Sequence, residues 1–120
     1  MTVTEKDTAA AWGSGLLPVY ATPAMILFME MTASKSVEPL LEEGCTTVGV
    51  AVDIKHLAAT PVGMNVHCES ELIKIDGKRL VFKVAVYDEA ELAGEGTHER
   101  VIIRKDKFMD RVKAKAAAPR

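Results

Sequence analysis

Between Thr22 and Lys35 the chain carries a single charge, Glu30. The run from Ala24 to Met31 reads A-M-I-L-F-M-E-M. At 3.6 residues per turn its apolar side chains point to nearly every side of a helix, and such a helix is buried over most of its surface. Its start is marked by Thr22 and Pro23, a hydroxyl able to cap followed by a proline at the first helical position, where no N–H is needed. Pro39 breaks or kinks the helix, and Gly44 closes the segment. At 120 residues the chain has the size of one domain with one core. A single domain over residues 1–120 is therefore expected, in which the remaining residues wall in this helix.

The walls read as strands. In TTVGVAVDIKH the even positions are Thr46, Val48, Val50, Val52, Ile54 and His56, while the odd ones include Gly49, Asp53 and Lys55. That alternation predicts a half-buried strand. MNVHCESELIKI alternates likewise, Asp76-Gly77 signals a tight turn, and RLVFKVAVYDE follows with Leu80, Phe82, Val84 and Val86 on one face. GEGTHERVII places His98, Arg100 and Ile102 on one face and Thr97, Glu99 and Val101 on the other. Residues 1 to about 9 hold a short strand, AWGSGLLPVY reads as a loop, and DKFMDRVKAKAAAPR as a short helix with a basic tail, Phe108 and Val112 docking it. One long apolar helix followed by four strands gives an α+β fold with an antiparallel sheet on the helix, and a curved sheet wrapped around the helix would bury it.

Charge and composition narrow the function. A net charge of −2 gives no broad footprint for nucleic acid, and the seven basic residues of the tail form a solvated helix rather than a stacking groove. No apolar run reaches membrane-spanning length, and MTVTEKDTAAAW lacks the basic start and apolar core of an export signal. A cytoplasmic protein is expected, with Cys45 and Cys68 as reduced thiols. Neighbouring His67 and Cys68 point to opposite faces of a strand, so no metal site is expected there.

Glu30 is the first candidate for chemistry. A lone carboxylate in a buried helix is costly unless it is paired or neutralised. It either lies on a narrow solvent-facing stripe, pairs with an arginine such as Arg100, or is a catalytic carboxylate in a dry pocket. His56 is the second. If its strand runs to position 56, it shares a face with Val48, Val50, Val52 and Ile54, and that face should look at the helix and Glu30. A histidine beside a carboxylate provides acid–base capacity near neutral pH, whereas a carbonyl at the strand end would make it structural. Thr22 is explained by capping alone. Gly49 marks either a bulge or the close approach of a ligand.

ATPAMILFME, KHLAATPVGM and GEGTHERVII, in that order and with 26 residues from Glu30 to His56, resemble the fluoroacetyl-CoA thioesterase-like family of hotdog-fold proteins. The resemblance runs from about Val19 to the C-terminus. It implies a hotdog fold, a homodimer or dimer of dimers with active sites between subunits, and hydrolysis of an acyl-CoA without a cofactor, since CoA is part of the substrate. It implies that Thr22, Glu30 and His56 are catalytic and that Gly49 and Arg100 lie on the substrate side. Thr22 and Glu30 stand about 12 Å apart along a straight helix. Serving one site would take Thr22 from the partner chain or a bent helix start. AWGSGLLPVY is small and aliphatic between Trp12 and Tyr20, where the fluoroacetyl-specialised pattern is more aromatic. The expected substrate is therefore a small or medium acyl-CoA. A hotdog hydratase or dehydratase acting on an enoyl or hydroxyacyl thioester, and a non-catalytic acyl-CoA-binding dimer, are the alternatives.

Overall fold

The computed structural model describes residues 1–118; Pro119 and Arg120, the end of the basic tail, lie outside the described residues. The long helix is α2 (Thr22–Val37), preceded by one turn, α1 (Ala9–Trp12), and followed at the far end of the chain by α3 (Lys105–Ala117). The strands are β1 (Cys45–His56), β2 (Val66–Asp76), β3 (Arg79–Asp88) and β4 (Leu92–Arg104). They form one antiparallel sheet in the order β1-β4-β3-β2. Gly77, with φ 61°, makes the tight turn between β2 and β3.

Met25, Met29, Ala33 and Val37 recur every four residues and are buried, so one stripe of α2 faces the sheet. It meets the buried Leu80, Phe82, Val84 and Val86 of β3. Each such side chain contributes about 1.5–3 kcal/mol when taken fully from water. The opposite stripe is different. Leu27 is 44% exposed and Met31 43%, so one chain does not bury α2 on most sides. Four strands cover one side of a helix, and the apolar residues on the other side have no cover.

Strand β1 departs from the expected alternation. Its pairing with β4 shifts between Gly49 and Ala51, leaving Val50 as a bulge. A bulge inserts one residue and reverses which parity faces inward. Before it, Thr47 and Gly49 oppose Ile102 and Arg100; after it, Val52, Ile54 and His56 oppose His98, Gly96 and Gly94. His56 therefore shares the helix-side face with Val52 and Ile54 but not with Val48.

Four local expectations change. Thr22 does not cap α2: Ala21 is the N-cap residue, and the Thr22 hydroxyl is turned to a histidine instead. The N-terminus forms an isolated bridge, Thr2 to Asn65, and a 3-10 turn at Glu5–Asp7 rather than a strand. Ala9–Trp12 is helical because the Thr8 hydroxyl accepts from the Ala11 N–H (3.2 Å) and Gly13, at φ 72°, ends the turn. Pro39 falls in a 3-10 turn directly after α2, and Gly44 adopts φ 86° before β1. Helix α3 lies on the surface with Phe108 half-buried, while Val112 is exposed rather than docked.

Gly96 is required by the packing of β1 on β4. A Cβ there would overlap the Asp53 carbonyl oxygen, which is backbone and cannot swing away. Gly96→Ala is expected to destabilise the fold by about 1–3 kcal/mol, the usual range for overpacking, read as a lowered urea midpoint.

Candidate active site

Two polar clusters lie along α2 where it approaches β1. The first stands at its N-terminal end. Thr22 Oγ1 and His56 Nδ1 share a hydrogen bond of 2.7 Å. The pair lines a cavity of about 350 Å³ with Val19, Tyr20, Leu57 and Ala58. His56 Nε2 is buried and has no hydrogen-bond partner among the described residues. Burial lowers the His56 pKa, opposed by the backbone at Ala58. A neutral imidazole carries one donor and one acceptor nitrogen, so whichever role Nδ1 takes with Thr22, Nε2 keeps the other.

Tyr20 walls the same cavity. Its ring stands edge-on to His56 with centroids 6.5 Å apart, and its buried hydroxyl likewise has no partner among the described residues. Burial pushes its phenol well above the ordinary range.

The direction of the His56 shift fixes a pH dependence. The unfolded residue takes up a proton near pH 6.5, while the folded one resists it. Below that pH the unfolded state binds more protons, so stability falls as pH drops through 6.5 and levels off below the folded pKa. Urea unfolding between about pH 7.5 and about pH 5 is expected to show this fall, and His56→Asn to lose part of it.

The second cluster lies two turns further along α2. Arg100 is buried. Its Nε donates to Thr47 Oγ1 (2.7 Å), its Nη2 to the Thr47 carbonyl (2.9 Å), and its Nη1 to His98 Nε2 (3.1 Å). It makes no ion pair among the described residues. Burial lowers its pKa, and the charges of Glu30 and Glu38 oppose that. A Cβ built on Gly49 would lie 3.2 Å from Glu30 Oε1, 3.3 Å from Arg100 Nη1 and 3.3 Å from His98 Cε1. Gly49 thus keeps clear the ground between carboxylate and guanidinium. Leu27, Glu30, Met31, Ser34, Lys35 and Arg100 line a cavity of about 280 Å³ there.

The expected meeting of His56 with Glu30 therefore does not occur within one chain. His56 is joined to Thr22, and Glu30 to Gly49 and Arg100. Sequence reasoning also passed over Thr47, Tyr20 and the role of His98. His98 does share a face with Arg100 in the expected alternation, but its carbonyl partner on Ala51 is presented beside the bulge, which alternation does not reveal.

Residues 3–106 match the family model described as fluoroacetyl-CoA-specific thioesterase. The chain is 38% identical over 100 residues to the fluoroacetyl-CoA thioesterase of Streptantibioticus cattleyicolor, covering 83% of this chain and 72% of that protein. It is also similar to a variant fluoroacetyl-CoA-specific thioesterase in complex with fluoroacetate and CoA. There the TM-score is 0.86 and the identity 32%, over 90% of this chain and 91% of the other. A hot-dog-like protein from Thermanaerovibrio acidaminovorans superposes with a TM-score of 0.90 at 26% identity, over 100% of this chain and 88% of the other. The chain, an α+β hotdog fold, belongs to the fluoroacetyl-CoA-specific thioesterase family.

Proposed function

We propose that the protein is an acyl-CoA thioesterase that works as a homodimer and hydrolyses a small or medium acyl-CoA to free acid and CoA. The observation that carries the reading is the placement of Glu30 Oε1 over the empty Cβ position of Gly49, beside a buried guanidinium that forms no ion pair among the described residues. A thioester carbonyl passing over Gly49 would meet an attacking carboxylate and a cation for its developing negative charge.

Glu30 delivers the attack, through its own oxygen or through a water it deprotonates. A C–O bond forms, the C–S bond breaks and the CoA sulfur leaves. Where Glu30 attacks directly this gives a mixed anhydride, which water then cleaves to the free acid and the regenerated carboxylate. On either route the proton given up by that water is the one the sulfur takes up. His56, neutral and linked to Thr22, moves that proton at Nε2, and Thr22 holds the imidazole in orientation. Arg100 orients the carbonyl. No cofactor takes part, because CoA enters with the substrate.

The homodimer follows from what one chain leaves open. Thr22 and Glu30 sit about 12 Å apart on one helix, too far for both to touch one carbonyl. Leu27, Met31, Val50 and Val52 are exposed, and β1 forms one edge of the sheet. A second copy across this edge would cover those residues and bring its Glu30 cluster to the first copy's Thr22–His56 cluster. Two free thiols, Cys45 and Cys68, accord with a cytoplasmic setting. No helix among the described residues is long and apolar enough to cross a membrane.

Release of free CoA, followed with a thiol reagent across acetyl-, fluoroacetyl-, short-chain and aryl-CoA, tests the reading. Turnover of at least one is expected. Consumption of an enoyl-CoA with no thiol released would instead identify a hydratase.

A further inference from the structure

Outside the residues already given roles, His98 is a buried side chain with a hydrogen bond at each ring nitrogen. It is 1% exposed, and its ring stacks on Phe82 with centroids 6.4 Å apart and planes 28° apart. Its Nδ1 donates to the Ala51 carbonyl (2.8 Å), and its Nε2 accepts from Arg100 Nη1 (3.1 Å). A carbonyl cannot donate and a guanidinium cannot accept. Only the neutral imidazole with its proton on Nδ1 satisfies both partners. The ring is thus held in one tautomer by the β1 backbone at the bulge.

The consequence lies at Arg100. Its Nε, Nη1 and Nη2 each donate one hydrogen bond, and every acceptor is neutral: the Thr47 hydroxyl, the Thr47 carbonyl and the His98 imidazole. The guanidinium plane is fixed from three corners. A carboxylate in the place of His98 would fix it equally well but would cancel its charge. A neutral imidazole fixes the plane and leaves the charge for whatever enters the Glu30 cavity.

We propose that His98 is a positioning residue: locked by the Ala51 carbonyl, its Nε2 aims Arg100 at the Glu30 cavity without discharging it. This rests on the thioesterase reading of that cavity, and the experiment separates the two.

Two substitutions divide the functions of the ring. In His98→Asn the amide reaches the Nδ1 position and can still donate to Ala51, but nothing remains for Arg100. In His98→Gln the amide oxygen reaches the Nε2 position and can still accept from Arg100. Glutamine is expected to keep kcat within about threefold of wild type, while asparagine loses about tenfold or more with KM little changed, the size of one hydrogen bond to a charged group. Thr47→Val, which removes the Nε acceptor and leaves His98 intact, should lower kcat in the same way.

In the wild-type protein, 15N NMR of the imidazoles should show His98 neutral and protonated on Nδ1 at the pH of full activity. That measurement decides even where a variant does not fold. Equal losses in the asparagine and glutamine variants, a loss in KM alone, or a His98 that is cationic or protonated on Nε2 would overturn the proposal. If the wild type turned over no acyl-CoA while His98 showed the Nδ1–H tautomer, the thioesterase reading would fall and the lock on Arg100 would stand.

Discussion

Glu30→Gln is expected to lower kcat for acyl-CoA hydrolysis by about a thousandfold while the protein stays folded. Glutamine keeps the shape and the hydrogen-bonding reach of the side chain. It removes the negative charge, and with it both the nucleophilic oxygen and the capacity to deprotonate water. The substitution is mild for the fold because Glu30 is only half-buried and forms no ion pair among the described residues. A residue kept for stability would behave in the opposite way, shifting the thermal midpoint and sparing turnover. Paired kcat and thermal-unfolding measurements on the one variant separate the two.

His56→Asn is expected to cost about a hundredfold in kcat, the lower part of the range for losing a positioned acid–base group. Asparagine can still bond the Thr22 hydroxyl, so the cavity wall keeps its polar contact and KM should move little. The proton-moving nitrogen at Nε2 is lost. In the proposed mechanism Thr22 acts through this imidazole, so Thr22→Val should lower kcat in the wild-type background and add little once His56 is gone. Full additivity of the two would show that Thr22 has a separate task.

The strands and the long helix were legible because their signals are local. Period-two alternation marks a strand wherever one face is dry, and Thr-Pro followed by an apolar run marks a helix start. The face of β1 was not legible. Gly49 had two readings, a bulge or a close approach, and the structure contains both at once. The register slips beside it, and Glu30 and Arg100 crowd the space its side chain would fill. A one-residue slip depends on how β1 pairs with β4, which alternation along one strand cannot report.

The candidate residues stand out in the sequence, and their grouping does not. Glu30 attracts notice as a lone charge in an apolar helix, and His56 as a polar end to an apolar strand. That His56 would meet Thr22 rather than Glu30 depends on where β1 ends relative to the start of α2. Thr22, read as a cap, does not cap, because Ala21 occupies that position. The uncovered stripe of Leu27 and Met31 is likewise invisible to a pattern that records only how apolar a helix is.

The central claim is that each active site joins the Thr22–His56 cluster of one copy to the Glu30–Arg100 cluster of another. Subunit mixing tests it most directly. Glu30→Gln and His56→Asn homodimers, each nearly inactive, would be dissociated together, allowed to reassociate in equal amounts and assayed for CoA release. A mixed dimer built this way has one site carrying both changes and one site carrying neither. Recovery of roughly a quarter of wild-type activity is expected, since half the dimers are mixed and half of their sites are intact. If the mixture formed heterodimers and stayed inactive, each site would draw both clusters from a single chain, and the account would be wrong.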